Sequence, residues 1–224
     1  MSKYSNTVKL FKTALEKYGH IDHAIANAGI GDRGDWFNPS LSIEDVEQAP
    51  ATTTVETNLI GVLYFLRVAL PYLKHGRKAG EERTISLVGS AAGFRESPGL
   101  PIYQSTKHGV HGVMRSMRKV LWERDAIRIN VLCPGMTESN MTVGISDVFR
   151  NKNQPVNVPD DLAKPLLGFC TEKGMYGKAI YVEAGRCWEI EDGITRTMPQ
   201  WLGEGTSTCL SQRPWQRHCA KHFL

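Results

Sequence analysis

Tyr103 and Lys107 stand four residues apart in "YQSTK". On a helix that spacing puts both side chains on one face. An ammonium held beside a phenol stabilises the phenolate, lowering a tyrosine pKa from about 10 toward neutral pH. Such a pair can serve as a general acid and base. The same spacing also arises by chance, as a surface tyrosine and a solvated lysine, so the chemistry needs further groups nearby. Ser90 lies 13 residues earlier, at the tip of "ISLVGS". Asn58 sits in "TNLIGV", inside an apolar helical stretch where an amide is locally unfavourable. Its plainer explanation is a buried amide that satisfies backbone groups.

These residues must be positioned by larger elements. Val8, Phe11, Leu15 and Tyr18 recur at helical spacing, which predicts an amphipathic helix over residues 6–18. Residues 52–74 and 100–126 read as two long helices. Gly76 stops the first. "HIDHAIANAG", "RTISLVGS", "IRINVLCPG" and "GKAIYVEAG" read as four strands. The second is apolar on both faces, as buried parallel strands are. Helices alternating with short apolar strands predict a doubly wound α/β fold, a parallel sheet covered by helices on both faces. Ligands then sit beyond the carboxyl ends of the strands. "NAGIG", "GSAAG" and "CPGMT" each begin where a strand stops, so three glycine-containing loops share one rim.

Gly29, Gly31 and Gly34 form G-x-G-x-x-G, the spacing of a dinucleotide-binding fingerprint. That motif works only where a helix follows at once and its N-terminal N–H groups hold a pyrophosphate. Here "DRGDWFNPSLS" follows, which reads as loop.

Composition sets wider bounds. The 224 residues are 41% hydrophobic and 22% charged, enough for one sizeable domain. A net charge of +4 without a dense Lys/Arg block argues against a nucleic-acid partner. The five scattered cysteines suggest reduced thiols and an intracellular setting. The N-terminus has no apolar signal core, and residues 59–73 are interrupted and read as too short to span a bilayer. A soluble cytoplasmic protein is therefore expected. His218, Cys219 and His222 fall short of the four well-spaced ligands a metal site requires, so no metal is expected.

Taken in order, "NAG" (Asn27, Ala28, Gly29), "TNLIGV", "SLVGSAAG", "YQSTK" and "NVLCPGMTES" resemble the motifs of the classical short-chain dehydrogenase/reductase family. The resemblance runs from about residue 6 to 186. It is looser at the C-terminal end, which resembles fungal members tied to secondary metabolism. It implies a partial Rossmann-like fold carrying the family's fourth to seventh strands, over residues 1–204. The family's phosphate loop, T-G-x-x-x-G-x-G, is not in this sequence. About 60–90 residues of the family pattern are expected to be missing, at ~30 residues per βα unit. The first strand should then have an open, apolar edge.

The resemblance also implies an activity: hydride transfer between NADP or NAD and an alcohol or ketone. Tyr103 is then the proton donor or acceptor. Lys107 lowers its pKa and holds the nicotinamide ribose, Ser90 bonds the substrate oxygen, and Asn58 holds a relay water. Asn27 lines the adenosine ribose, while Pro134, Gly135, Met136 and Thr137 pass the nicotinamide. Residues 140–158 form a substrate lid whose apolar side chains suggest a hydrophobic substrate. The two long helices imply a homo-oligomer. Residues 205–224 read as a basic, disordered tail. The rival expectation is a catalytically inactive remnant or gene-model fragment that cannot bind cofactor.

Overall fold

The computed structural model describes residues 2–212. A five-stranded sheet runs in the order β1-β2-β3-β4-β5. Its strands are β1 (His23–Ala26), β2 (Arg83–Val88), β3 (Ile127–Pro134), β4 (Ala179–Glu183) and β5 (Arg186–Glu189). The first four are parallel and β5 is antiparallel. The fifth strand departs from the four-strand expectation. Ala184 and Gly185 both have positive φ, at 48° and 72°. Two such residues make the tight turn that suits a hairpin, so the chain doubles back after β4. "EAGR" was the local signal for it.

Helices cover both faces. On one side lie α1 (Tyr4–Tyr18), a short α2 (Thr53–Val55), α3 (Gly61–Lys74) and the long α4 (Pro101–Asp125). Phe11, Phe65, Leu73, Val110 and Met114 pack there against Ile85, Leu87, Ile129 and Val131 of the sheet. On the other side, after α5 (Ile145–Asn151), lies α6 (Pro159–Thr171), where Phe169 packs on Leu132, Ile180 and Val182. Alternate residues of β3 thus serve opposite cores, as the two-residue strand period requires. Buried Arg128 ties the end of α6 to the sheet by donating to the carbonyls of Phe169, Glu172 and Met175. α7 (Glu191–Leu202) is joined to α4 through Glu191, which accepts from Arg115 and Arg118.

Three expectations need correction. The helix expected over residues 52–74 is not uniform, because a π-helical turn, Glu56–Ile60, separates α2 from α3. The whole run Thr53–Lys74 is also long and apolar enough to cross a membrane by length and composition. Length therefore cannot exclude a span, as the reading of residues 59–73 supposed. In this fold Val62, Phe65, Leu66, Ala69 and Leu73 are buried in the core. The expected tail starts as α8 (Glu204–Gln212) rather than as irregular chain. Gly203, at φ 78°, makes the bend, and Ser207 N–H closes the first turn onto the Gly203 carbonyl. Residues 213–224, with His218, Cys219 and His222, lie outside the described residues.

At the other end of the sheet β1 pairs only with β2 among the described strands. Ile25 on β1 is 41% exposed, matching the open apolar edge expected from the sequence.

Candidate active site

The π turn marks the site. Asn58 is fully buried within it. Its Oδ1 accepts from Ile30 N–H at 2.9 Å, and its Nδ2 donates to the Ile30 carbonyl at 2.8 Å. One side chain thus completes both backbone groups of a residue in the loop after β1. That answers how an amide survives inside an apolar helix. A π turn in a helix commonly accompanies a functional site, because the extra residue redirects side chains. Thr54 adds a second tie, its hydroxyl donating to the Gly31 carbonyl.

Helix α4 supplies the next groups. Lys107 is buried and donates through Nζ to the Val88 carbonyl at 3.0 Å, at the end of β2. The same Nζ lies 5.4 Å from the centre of the Tyr103 ring. A Cβ placed on Gly29 would lie 3.4 Å from Asn58 Oδ1 and 3.5 Å from Lys107 Nζ. Gly29 therefore leaves open the space where those two polar groups converge. Ser90 follows β2 and caps a short 3₁₀ turn, its Oγ accepting from Ala92 N–H.

The electrostatics correct one expectation. Burial pushes the Tyr103 phenol above its ordinary value, while a hydrogen bond with Ser90 pulls the other way. Desolvation wins, so Lys107 does not bring Tyr103 toward neutrality in this state. Lys107 itself is lowered to about 8, because burial disfavours its charge. Its ammonium is therefore readily deprotonated for a lysine.

The third loop is held separately. Gly135 N–H donates to the Val182 carbonyl, Asn157 N–H donates to the Met136 carbonyl, and Asn157 Nδ2 donates to Thr137 Oγ1. Pro134, Gly135, Met136 and Thr137 thus form a fixed segment at the end of β3. Asn27 is exposed at the end of β1. Gly29, Asn58, Ser90, Tyr103 and Lys107 are drawn together by the contacts above, whereas no such contact brings Asn27 into that cluster.

Three further residues matter that sequence reasoning missed. Asp32 accepts from the backbone N–H groups of Ile102 and Tyr103, capping the helix that carries the tyrosine. Asn157 is buried and clamps the third loop. His111 is buried one turn beyond Lys107, its Nε2 3.3 Å from Cys133 Sγ. A Cβ on Gly93 would lie 2.6 Å from the His111 ring, so the turn after Ser90 rests directly on that imidazole. Only the position of His111, eight residues after Tyr103 on the same helix face, could have flagged it. Among the described residues, no group of three or more His, Cys, Asp or Glu is placed to hold a metal ion.

A mainly parallel sheet covered by helices on both faces, with polar groups gathered beyond the strand ends, is a doubly wound α/β architecture. The chain belongs to the short chain dehydrogenase family, whose model matches residues 1–148. It is 26% identical over 192 residues to the short-chain dehydrogenase/reductase ascJ of Acremonium egyptiacum, covering 85% of this chain and 64% of that protein. It is 29% identical over 156 residues to prx4 of Penicillium roqueforti, covering 70% of this chain and 41% of that protein. The chain thus spans less than two thirds of these curated relatives. A 3-ketoacyl-(acyl-carrier-protein) reductase from Brucella melitensis, complexed with NADH, superposes with a TM-score of 0.69 at 28% identity. That match covers 83% of this chain and 75% of the other.

Proposed function

We propose that this protein is an NAD(P)-dependent oxidoreductase that interconverts an alcohol and a ketone. The carrying observation is the convergence of Asn58, Lys107 and the bare Gly29 backbone beside Tyr103 and Ser90. The opening at Gly29, which a Cβ would narrow, suits the ribose and nicotinamide end of such a cofactor. The glycine loop for the pyrophosphate is not part of this sequence. When bound, the cofactor supplies or accepts the hydride.

Each residue then has a role in binding or proton handling. Tyr103 donates its phenolic proton to the nascent alkoxide during ketone reduction and takes it back in the reverse direction. Ser90 donates a hydrogen bond to the same oxygen. Lys107 bonds the ribose hydroxyls, and its nearby charge favours the phenolate once Tyr103 gives up its proton. Asn58 holds a water beside Lys107 through which the proton is replaced. Asn27 lines the adenosine ribose, and residues 134–137 orient the nicotinamide. Either NADP or NAD is compatible with these groups. The NADH complex of the Brucella reductase supports a nicotinamide cofactor.

The proposal extends to a hydrophobic substrate, with residues 140–158 as a lid. Met141, Val143, Ile145 and Val148 are exposed there, on α5 and just before it. It includes a homo-oligomer through α3 and α4, and a role in fungal secondary metabolism, which the fungal relatives support. A cytoplasmic setting is in keeping with the free thiols of Cys133, Cys170 and Cys187. The comparisons give no support to the inactive alternative.

Calorimetric titration with NADH and NADPH, followed by a ketone-reduction assay, tests this reading. Binding and turnover are expected, with turnover lost in Tyr103→Phe and cofactor binding kept. Turnover that survives in Tyr103→Phe overturns the assigned chemistry.

A further inference from the structure

One cavity, of about 620 Å³, opens beside the N-terminus of α4. It is lined by Asp32, Asp35, Trp36, Phe37, Pro101 and Ile102, among others. Its size lies within the range of about 300–1,000 Å³ typical of small-molecule sites. Two strands of observation say what it would hold.

The first is shape and apolar surface. Trp36 donates its indole N–H to the Ala51 carbonyl at 3.1 Å, which fixes the ring. Phe37 lies beside it, with ring centres 6.5 Å apart, and is 70% exposed. An exposed phenylalanine next to an anchored indole offers a ready aromatic wall. Pro101 and Ile102, at the start of α4, also line the cavity. Asp32 of the lining accepts from the backbone N–H of Tyr103, the residue that follows Ile102, so the cavity is tied to the proposed reacting centre through that helix start.

The second is charge. Two carboxylates line the cavity and no Lys, Arg or His does. Asp32 is held in place by the α4 backbone, and Asp35 Oδ2 accepts from Asn38 Nδ2 at 3.0 Å. Arg33 lies between them in sequence but is exposed and is not among the lining residues. Fixed negative charge at a partly apolar site repels anions.

We infer that this cavity is the substrate subsite for the distal end of an uncharged, aromatic-ring-bearing ketone or alcohol, with Trp36 as the stacking wall and Asp35 as the group that rejects anionic analogues. The inference rests on the oxidoreductase reading only for which end of the ligand faces Tyr103.

Binding can be measured without turnover. The probes are 2-acetylnaphthalene and 2-naphthoate, which share a ring system and differ in charge. Each is titrated into the full chain by calorimetry, with ligand-observed NMR as a second readout. The acetyl compound is expected to bind, and the carboxylate about tenfold more weakly, a difference of about 1.4 kcal/mol. Trp36→Ala should weaken the acetyl compound about tenfold, while Trp201→Ala on α7 should leave it unchanged. Phe37→Ala, at an exposed position, should weaken it by a smaller factor and decides the matter should Trp36→Ala fail to fold. Asp35→Asn should narrow the gap between the two probes. No binding of the acetyl compound, equal binding of both probes, or unchanged affinity in the wall variants overturns the subsite. Failure of the oxidoreductase reading looks different: the probe still binds, and still needs Trp36, but no ketone is reduced.

Discussion

Two regions border the same rim and are built in opposite ways. Helix α4 carries Tyr103, Lys107 and His111 on one face, and the last two are buried. Besides the Lys107–Tyr103 contact, that face meets other elements: Lys107 the end of β2, His111 β3 and the Ser90 turn, and the helix N-terminus Asp32. The segments around residues 35–50 and 140–151, the latter including α5, instead expose Phe37, Ile43, Val46, Val143 and Ile145. The contrast separates two tasks. On the proposed function, groups that move protons need fixed distances and a dry setting, which the buried Lys107 and its helix face provide. Groups proposed to select substrate must open to admit it, in keeping with their exposed apolar surface.

If that division holds, substitutions in the two regions should have different signatures. The largest effect is expected at Tyr103. Tyr103→Phe should lower kcat by about 10²–10⁴-fold, the usual worth of a general acid or base, with little change in Tm. Steady-state kinetics beside a melting curve would show this.

The next effect is on stability and depends on pH. Burial lowers His111 to about 4, below its ordinary 6.5. Between those values the unfolded state binds the extra proton and the folded state does not. Stability is therefore full above about pH 6.5 and is lost as the pH falls through 4, by about 3 kcal/mol at ~1.4 kcal/mol per unit. Lys107 repeats the pattern at the alkaline end, where stability should rise between about pH 8 and 10.5. Urea midpoints across pH for the native chain and for His111→Leu would separate the two, because the acid limb alone should flatten in the variant.

Gly93→Ala comes third. Its Cβ would meet the His111 ring at 2.6 Å and the Lys107 carbonyl at 2.9 Å. Overpacking of that kind costs about 1–3 kcal/mol and should displace Ser90 as well. A destabilised enzyme whose kcat falls more than its cofactor affinity would show that the turn is set by the imidazole; an unchanged kcat would not.

The smallest stability effect belongs to the loops. Val143, 77% exposed, should tolerate Val143→Ser within about 0.5 kcal/mol, while KM for a hydrophobic ketone rises. A large loss of stability there would erase the distinction between the two regions.

Much of this was legible in the sequence. The four parallel strands, the long helices and the shared rim follow from the alternation of apolar runs with helical periodicity, which is a local property of the chain. Tyr103 and Lys107 could be paired because four residues along a helix fix a face. Asn58 was visible as a misfit, an amide among Leu59, Ile60 and Val62. Its partner was not, because Ile30 lies 28 residues away and the bond is made only when the loop after β1 meets the π turn before α3.

The sequence by itself determined the elements, their order and the residue types at the rim. Tertiary structure alone decided the rest. Burial raises Tyr103 where the neighbouring lysine suggested lowering, since desolvation depends on the surrounding atoms and not on spacing. Asp32 became the cap of a helix that begins 69 residues later, and Asn157 the clamp of the β3 loop. Backbone groups at strand ends and helix starts must find partners wherever the fold brings polar side chains to them, and that meeting is written in no single segment.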